Sequence, residues 1–119
     1  MESGRKPNAI IHLSKQFAIE IVLYAEKLES EKKFVIARQL LKSGTSVGAN
    51  IHEAQHAESK ADFIHKMKIA AKESHETEYW LDLCSSIKSY SKPSENMNHL
   101  LVQIQKLLSA IISKTKSHN

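Results

Sequence analysis

Phe63, Met67, Ala70, Ser74, Thr77, Leu81 and Cys84 follow one another at alternating steps of four and three residues. A strand cannot use that spacing, because its side chains repeat every two residues. On an α-helix the same residues form one continuous seam. Ser59 stands before the seam as an N-cap residue, with Asp62 in the first turn, and the pattern predicts a helix lasting to about Tyr90. Three other stretches carry helical spacing. Ile10, Leu13, Phe17, Ile21, Tyr24 and Leu28 mark a helix over about 8–28, with Asn8 as a possible N-cap. Ala37, Leu40, Leu41, Val47, Ile51 and Ala54 mark a second over about 34–56. Met97, Leu100, Leu101, Ile104, Leu107, Leu108, Ile111 and Ile112 mark the last, over about 95–114.

The connections are short: a charged break at 29–33, a polar break before Ser59, and Ser91-Lys92-Pro93-Ser94. Short connections make successive helices antiparallel neighbours. The expected fold is therefore all-α, an up-down-up-down antiparallel four-helix bundle. The 119 residues suffice for one domain, 1–119, with 1–7 and 115–119 as frayed tails. Three Gly and two Pro are too few for a turn-rich β fold, and no stretch alternates with period two. The second helix contains Ser43-Gly44-Thr45-Ser46-Val47-Gly48, poor helix-forming sequence. Because the apolar phase continues through it, one long helix is preferred to two short ones. Gly44 and Gly48, four apart, would then let a neighbouring backbone approach closely.

Cys84 is the only cysteine, so no intrachain disulfide can form, and its neighbours offer no activating base. The polar N-terminus has no apolar leader region and no run of about 20 apolar residues exists. A cytoplasmic protein without membrane contact is expected.

Four constellations bear on chemistry. His52-Glu53-Ala54-Gln55-His56 matches H-E-x-x-H, which on a helix presents two imidazoles one turn apart for zinc, with Glu53 as base and Glu76 as a conceivable third ligand. Seven His make a chance pairing unsurprising, and both His continue the polar face of Arg38, Lys42, Thr45 and Ala49. Zinc hydrolysis is therefore a remote alternative, with His52 and His56 its only metal candidates. A carboxylate-bridged metal pair lacks an interior carboxylate on the fourth helix, where Gln103 and Gln105 stand. No cofactor is expected. The second constellation is basic: Arg38 and Lys42 with Lys68 and Lys72, accompanied by His65, His75 and the stacking-competent Tyr79. These four cations are the candidate nucleic-acid contacts. Third, Ser43, Ser46 and Asn50 share one side of the second helix with Glu53 next in line, and Ser74 and Thr77 stand in the third seam flanked by Glu73 and Glu76, all polar where a bundle is apolar. They are expected to form a structural network, with Asn50 and Ser46 bonding Glu73 or Thr77 across the helix pair. Fourth, Ile19, Val35, Ile36, Ile64, Ile69 and Trp80 widen the apolar surface beyond one stripe per helix, as a subunit interface would.

Two strings resemble the motifs of a known family. Residues 39–54, QLLKSGTSVGANIHEA, are similar to Q-L-x-R-S-x-x-S-I-x-x-N-I-x-E-A/G, and 62–81, DFIHKMKIAAKESHETEYWL, to D-F-I-x-K-x-x-I-A-x-K-E-x-x-E-T-x-Y-W-L. The family is that of the bacterial four-helix-bundle proteins first noted in intervening sequences of large-subunit ribosomal RNA genes. Lys42 stands where the motif has Arg, keeping the charge but losing the bidentate fork. The resemblance implies an antiparallel four-helix bundle and a ring-like homopentamer; it does not imply an enzyme. It also implies kinship in fold with the accessory protein of diversity-generating retroelements, which works with reverse transcriptase and nucleic acid. Ribosome incorporation does not follow, because the family's ribosomal description traces to gene location. The expected function is thus a non-enzymatic homo-oligomeric adaptor binding RNA or a nucleoprotein through basic helix surfaces. A protein-interaction scaffold without nucleic acid is the alternative.

Overall fold

In the computed structural model, which describes residues 5–118, four helices follow one another: α1 (Arg5–Ser30), α2 (Phe34–Ala54), α3 (Lys60–Ser86) and α4 (Glu95–Ser117). Each packs on its two neighbours, α1 on α2 and α4, and α3 on α2 and α4, which is a closed square of antiparallel helices. No strand occurs among the described residues. The core draws on every helix. Phe17, Ile21 and Leu28 of α1 meet Leu40, Val47 and Ile51 of α2, Met67 and Leu81 of α3, and Met97, Ile104 and Leu108 of α4, all buried. The α3 seam is sound from Met67 to Cys84, with Phe63 half-buried at its start. Leu41 departs from the expected α2 stripe: it is turned to the rim and 39% exposed.

The two helices that begin with serine do so for a stated reason. Ser59 accepts a hydrogen bond from the Asp62 amide at 3.0 Å, and the Asp62 carboxylate accepts from the Glu58 amide at 3.2 Å. Ser94 accepts from the Met97 amide at 3.0 Å. Each hydroxyl satisfies an amide that the first turn would otherwise leave unpaired.

α2 is one helix straight through its glycines. A Cβ on Gly44 would lie 2.7 Å from Ile21 Cγ2, and one on Gly48 would lie 3.4 Å from the Ser14 carbonyl oxygen. The expected close approach is therefore made by α1.

Three boundaries differ from those expected from the sequence. α1 begins at Arg5, so Asn8 lies inside the helix and not at its start. Pro7 is tolerated because first-turn amides have no helical partner anyway. α3 stops at Ser86, and 87–90 form a turn closed by the Tyr90 amide on the Ile87 carbonyl at 3.1 Å. Lys92 donates to the Ile87 carbonyl at 2.6 Å and the Cys84 carbonyl at 3.3 Å, a side-chain cap for the end of α3. At the far end, α4 continues to Ser117. Thr115 donates to the Ile111 carbonyl at 2.7 Å, and Lys114 and Lys116 suit the negative end of the helix dipole. The expected frayed tail is helix up to that point; residues 1–4 and 119 lie outside the described residues.

Candidate functional site

The register of the bundle fixes where the predicted residues stand. Thr77 meets Ser43 and Lys66 meets Glu53, so residue numbers of facing α2 and α3 positions sum to about 120. Lys72 is then level with about Gly48, and Lys68 with His52. Arg38 is level with Asp82, about 20 Å along the axis from Lys68 at 1.5 Å per residue. The four basic candidates also point to different sides. Arg38 and Lys42 share a helical face with Thr45 and Ala49, which line a groove with Ile11, Lys15 and Ala18 of α1. Lys68 lines a groove with Ser109, Ser113 and Lys116 of α4, and Lys72 is one turn further along. The structure therefore pairs Arg38 with Lys42 and Lys68 with Lys72, as two patches. All four are exposed, and none has a carboxylate partner among the described residues.

Lys116 was not visible as a site residue because it falls in the segment expected to fray. It lies close enough to Lys68 that direct contact between the two amino groups first, and their charge repulsion second, hold the Lys68 ammonium below the usual lysine range. Tyr79 is 57% exposed, and its ring meets that of Trp80 edge-on at 5.1 Å.

The polar network differs from expectation in its bridging residues. Asn50 donates to the Ser46 carbonyl at 2.9 Å, and Ser46 to the Lys42 carbonyl at 2.7 Å, so both stay within α2. The hydroxyl that crosses is that of Ser43. It is buried, donates to the Gln39 carbonyl at 3.0 Å, and faces Thr77 Oγ1 at 2.9 Å. By the same register Ser46 and Asn50 are level with Ser74 and Ala70, not Thr77, and both are half-buried, so their own backbone is the nearer partner. Glu73 contributes its backbone carbonyl, 2.8 Å from Thr77 Oγ1, and the Glu76 carboxylate accepts from Trp80 Nε1 at 3.2 Å. Glu53 does cross to α3, as an exposed ion pair with Lys66 at 2.9 Å. That pair raises the Lys66 ammonium above its ordinary range, through the hydrogen bond first and the charge second.

His52 and His56 are exposed, with ring centroids 5.5 Å apart. His56 is already in the turn after α2. No third His, Cys, Asp or Glu joins them among the described residues, and Glu76 is level with Gly44, two turns away. Cys84 is buried, and that burial pushes its thiol up, partly offset by Tyr24 and Lys92. Burial also raises the Tyr24 hydroxyl, which donates to the Ser91 carbonyl at 2.6 Å.

The family model described as 23S rRNA-intervening sequence protein matches residues 6–111. The chain belongs to this family. A crystal structure from Bacteroides thetaiotaomicron, described as a protein with unknown function from the S23 ribosomal protein family, is 45% identical. The similarity covers 91% of this chain and 98% of that one, with a TM-score of 0.83. No curated protein matches the chain. No helix among the described residues of this family member is long and apolar enough to cross a membrane.

Proposed function

We propose that this member of the intervening-sequence protein family is a non-enzymatic, cytoplasmic, homo-oligomeric adaptor that binds RNA, alone or within a nucleoprotein. The observation that carries the reading is the state of its cations. Arg38, Lys42, Lys68 and Lys72 are exposed and have no carboxylate partner among the described residues, so their charge is available to phosphates. Lys plus Arg outnumber Asp plus Glu by 17 to 13, a net charge of +4. A homopentamer, which the resemblance implies, would carry about +20 from five such chains. Self-assembly has support of its own in large apolar side chains left at the surface: Ile19 is 50%, Leu23 60% and Val35 68% exposed. The two His of the H-E-x-x-H string lack a third ligand among the described residues, which favours a binding role over zinc chemistry.

Those apolar side chains also favour the second reading, a protein scaffold that binds no nucleic acid. Fluorescence anisotropy with labelled single-stranded RNA across a salt series, alongside light scattering, separates the two. RNA affinity that falls steeply with salt, on a particle several times the 13.4 kDa chain, is the expected result. An oligomer with no RNA binding at low salt would favour the scaffold, and a monomer would remove the assembly.

A further inference from the structure

The groove between α3 and α4 carries more than the two lysines of the basic candidate set. Lys68 enters it from α3, and Lys116 from the last turn of α4 comes up beside it. Their ammonium groups repel, and neither has a carboxylate partner among the described residues. The groove encloses about 410 Å³. Half-buried Ala71 and Ile112 lie within its lining, and Ser109 and Ser113, one helical turn apart and both exposed, present hydroxyls to it. Neither hydroxyl makes a hydrogen bond within the described chain. At one end Gln105 donates to Glu78 at 3.0 Å, and Glu78 lies 3.5 Å from His75. That carboxylate is thus held by its own neighbours. Lys114 and Lys116 offset the negative dipole end of α4.

Two like charges side by side are unfavourable unless an anion sits against both. Neutral hydroxyl donors set next to such a pair fit an oxyanion with several acceptor oxygens and an adjoining sugar. We propose that the α3–α4 groove seats the phosphodiester backbone of RNA, with Lys68 and Lys116 on one phosphate and Ser109 and Ser113 donating to the adjoining phosphate or ribose oxygens. The proposal rests on the RNA-binding reading above. It makes this groove, with Lys72 one turn along, the principal contact, and Arg38 and Lys42 a separate, minor patch.

The test compares two exposed double variants with wild type, using labelled single-stranded RNA and anisotropy from low to high salt. Each lost phosphate contact lowers the salt slope by about 0.7 and the affinity at 0.1 M salt by about fivefold relative to 1 M. Lys68→Gln/Lys116→Gln, which removes the one phosphate contact that the two lysines share, should therefore bind about fivefold more weakly, with a slope smaller by about 0.7. Arg38→Gln/Lys42→Gln should change affinity severalfold less. If wild type binds RNA and the groove variant keeps its affinity and slope, the groove assignment falls while the RNA reading stands. If wild type binds no RNA at low salt, the RNA reading falls first. Amide shifts on titrating inorganic tripolyphosphate give a second readout that does not depend on variants. Shifts centred on Lys68, Ser109, Ser113 and Lys116 support the groove, and shifts confined to the α1–α2 side overturn it.

Discussion

Gly44 and Gly48 are one turn apart on the same helix, yet the geometry gives an added methyl group opposite consequences at the two positions. A Cβ at Gly44 would meet Ile21 Cγ2 at 2.7 Å, Cγ1 at 2.8 Å and Cδ1 at 3.1 Å. The first two atoms are attached directly to the Ile21 Cβ. A β-branched side chain in a helix has essentially one χ1 rotamer, so relief requires α1 to move. Such overpacking costs about 1–3 kcal/mol. Replacing Gly by Ala in a helix returns about 1 kcal/mol of propensity. Gly44→Ala is thus expected to destabilise by about 0–2 kcal/mol. At Gly48 the nearest atom, the Ser14 carbonyl oxygen, is 3.4 Å away, which is ordinary contact. Gly48→Ala should keep the propensity gain and stabilise by up to about 1 kcal/mol. The propensity term cancels between the variants, leaving a difference of about 1–3 kcal/mol that reports the α1 approach alone. Thermal melts at matched protein concentration would show it as a Tm for Gly44→Ala lower by several degrees, at roughly 3–5 °C per kcal/mol for this size. Ile21→Ala removes both offending carbons, so adding Gly44→Ala in that background should be neutral or stabilising. Gly44→Ala melting at or above Gly48→Ala would refute the reasoning.

Two further perturbations test the polar interior. Thr77→Val removes a hydroxyl facing Ser43 in a buried site and should cost about 1 kcal/mol, whereas Ser43→Ala in that background should cost less than it does alone. Strict additivity in urea melts would count against the pairing. Asn50→Leu, whose side chain bonds only its own helix, should shift stability by no more than about 0.5 kcal/mol; collapse of the fold would show that Asn50 does bridge to α3. The Cys84 thiol and Tyr24 hydroxyl are both raised by burial, so above the ordinary thiol range of about 8.5 the unfolded chain gives up protons that the folded one keeps. Stability should be full below that range and fall as pH rises through it, and alkylation of Cys84 should track global unfolding. Flat stability from pH 8 to pH 10.5, or rapid alkylation of the native protein, would contradict this.

The helices and their packing partners were readable because each rests on a repeated signal. A seam such as Met67, Ala70, Ser74, Thr77, Leu81 and Cys84 tolerates a single misfit without losing its phase. Features resting on the register between two helices or on a single backbone angle were not readable. Ser43, Ser46 and Asn50 lie on the same side of α2, and choosing which reaches Thr77 needs the axial register of α2 against α3. The end of α1 is similar. Lys32 takes φ 65°, while the Lys33 amide donates to the Leu28 carbonyl at 2.8 Å and the Lys32 amide to the Glu29 carbonyl at 2.9 Å. That is a helix stop of the type glycine usually provides, here made by lysine, and nothing in Glu29 to Lys33 announces it.

The basic surface shows why site residues are harder to read than core residues. Exposure of Arg38, Lys42, Lys68 and Lys72 followed from their position off the apolar stripes, because every solvent-facing position obeys the same periodicity. Convergence did not, because it depends on which corner of the square each helix occupies and on the axial register between helices. Those are properties of pairs, and no single helix encodes them. Lys116 illustrates the point from the other side. Taken alone it is a charged residue near a chain end, the usual place for fraying. Set against α3 at the register fixed by Gln105 and Glu78, the same residue falls opposite Lys68. A lysine near the end of α4 thereby becomes half of a pair of unpaired positive charges on the α3–α4 face.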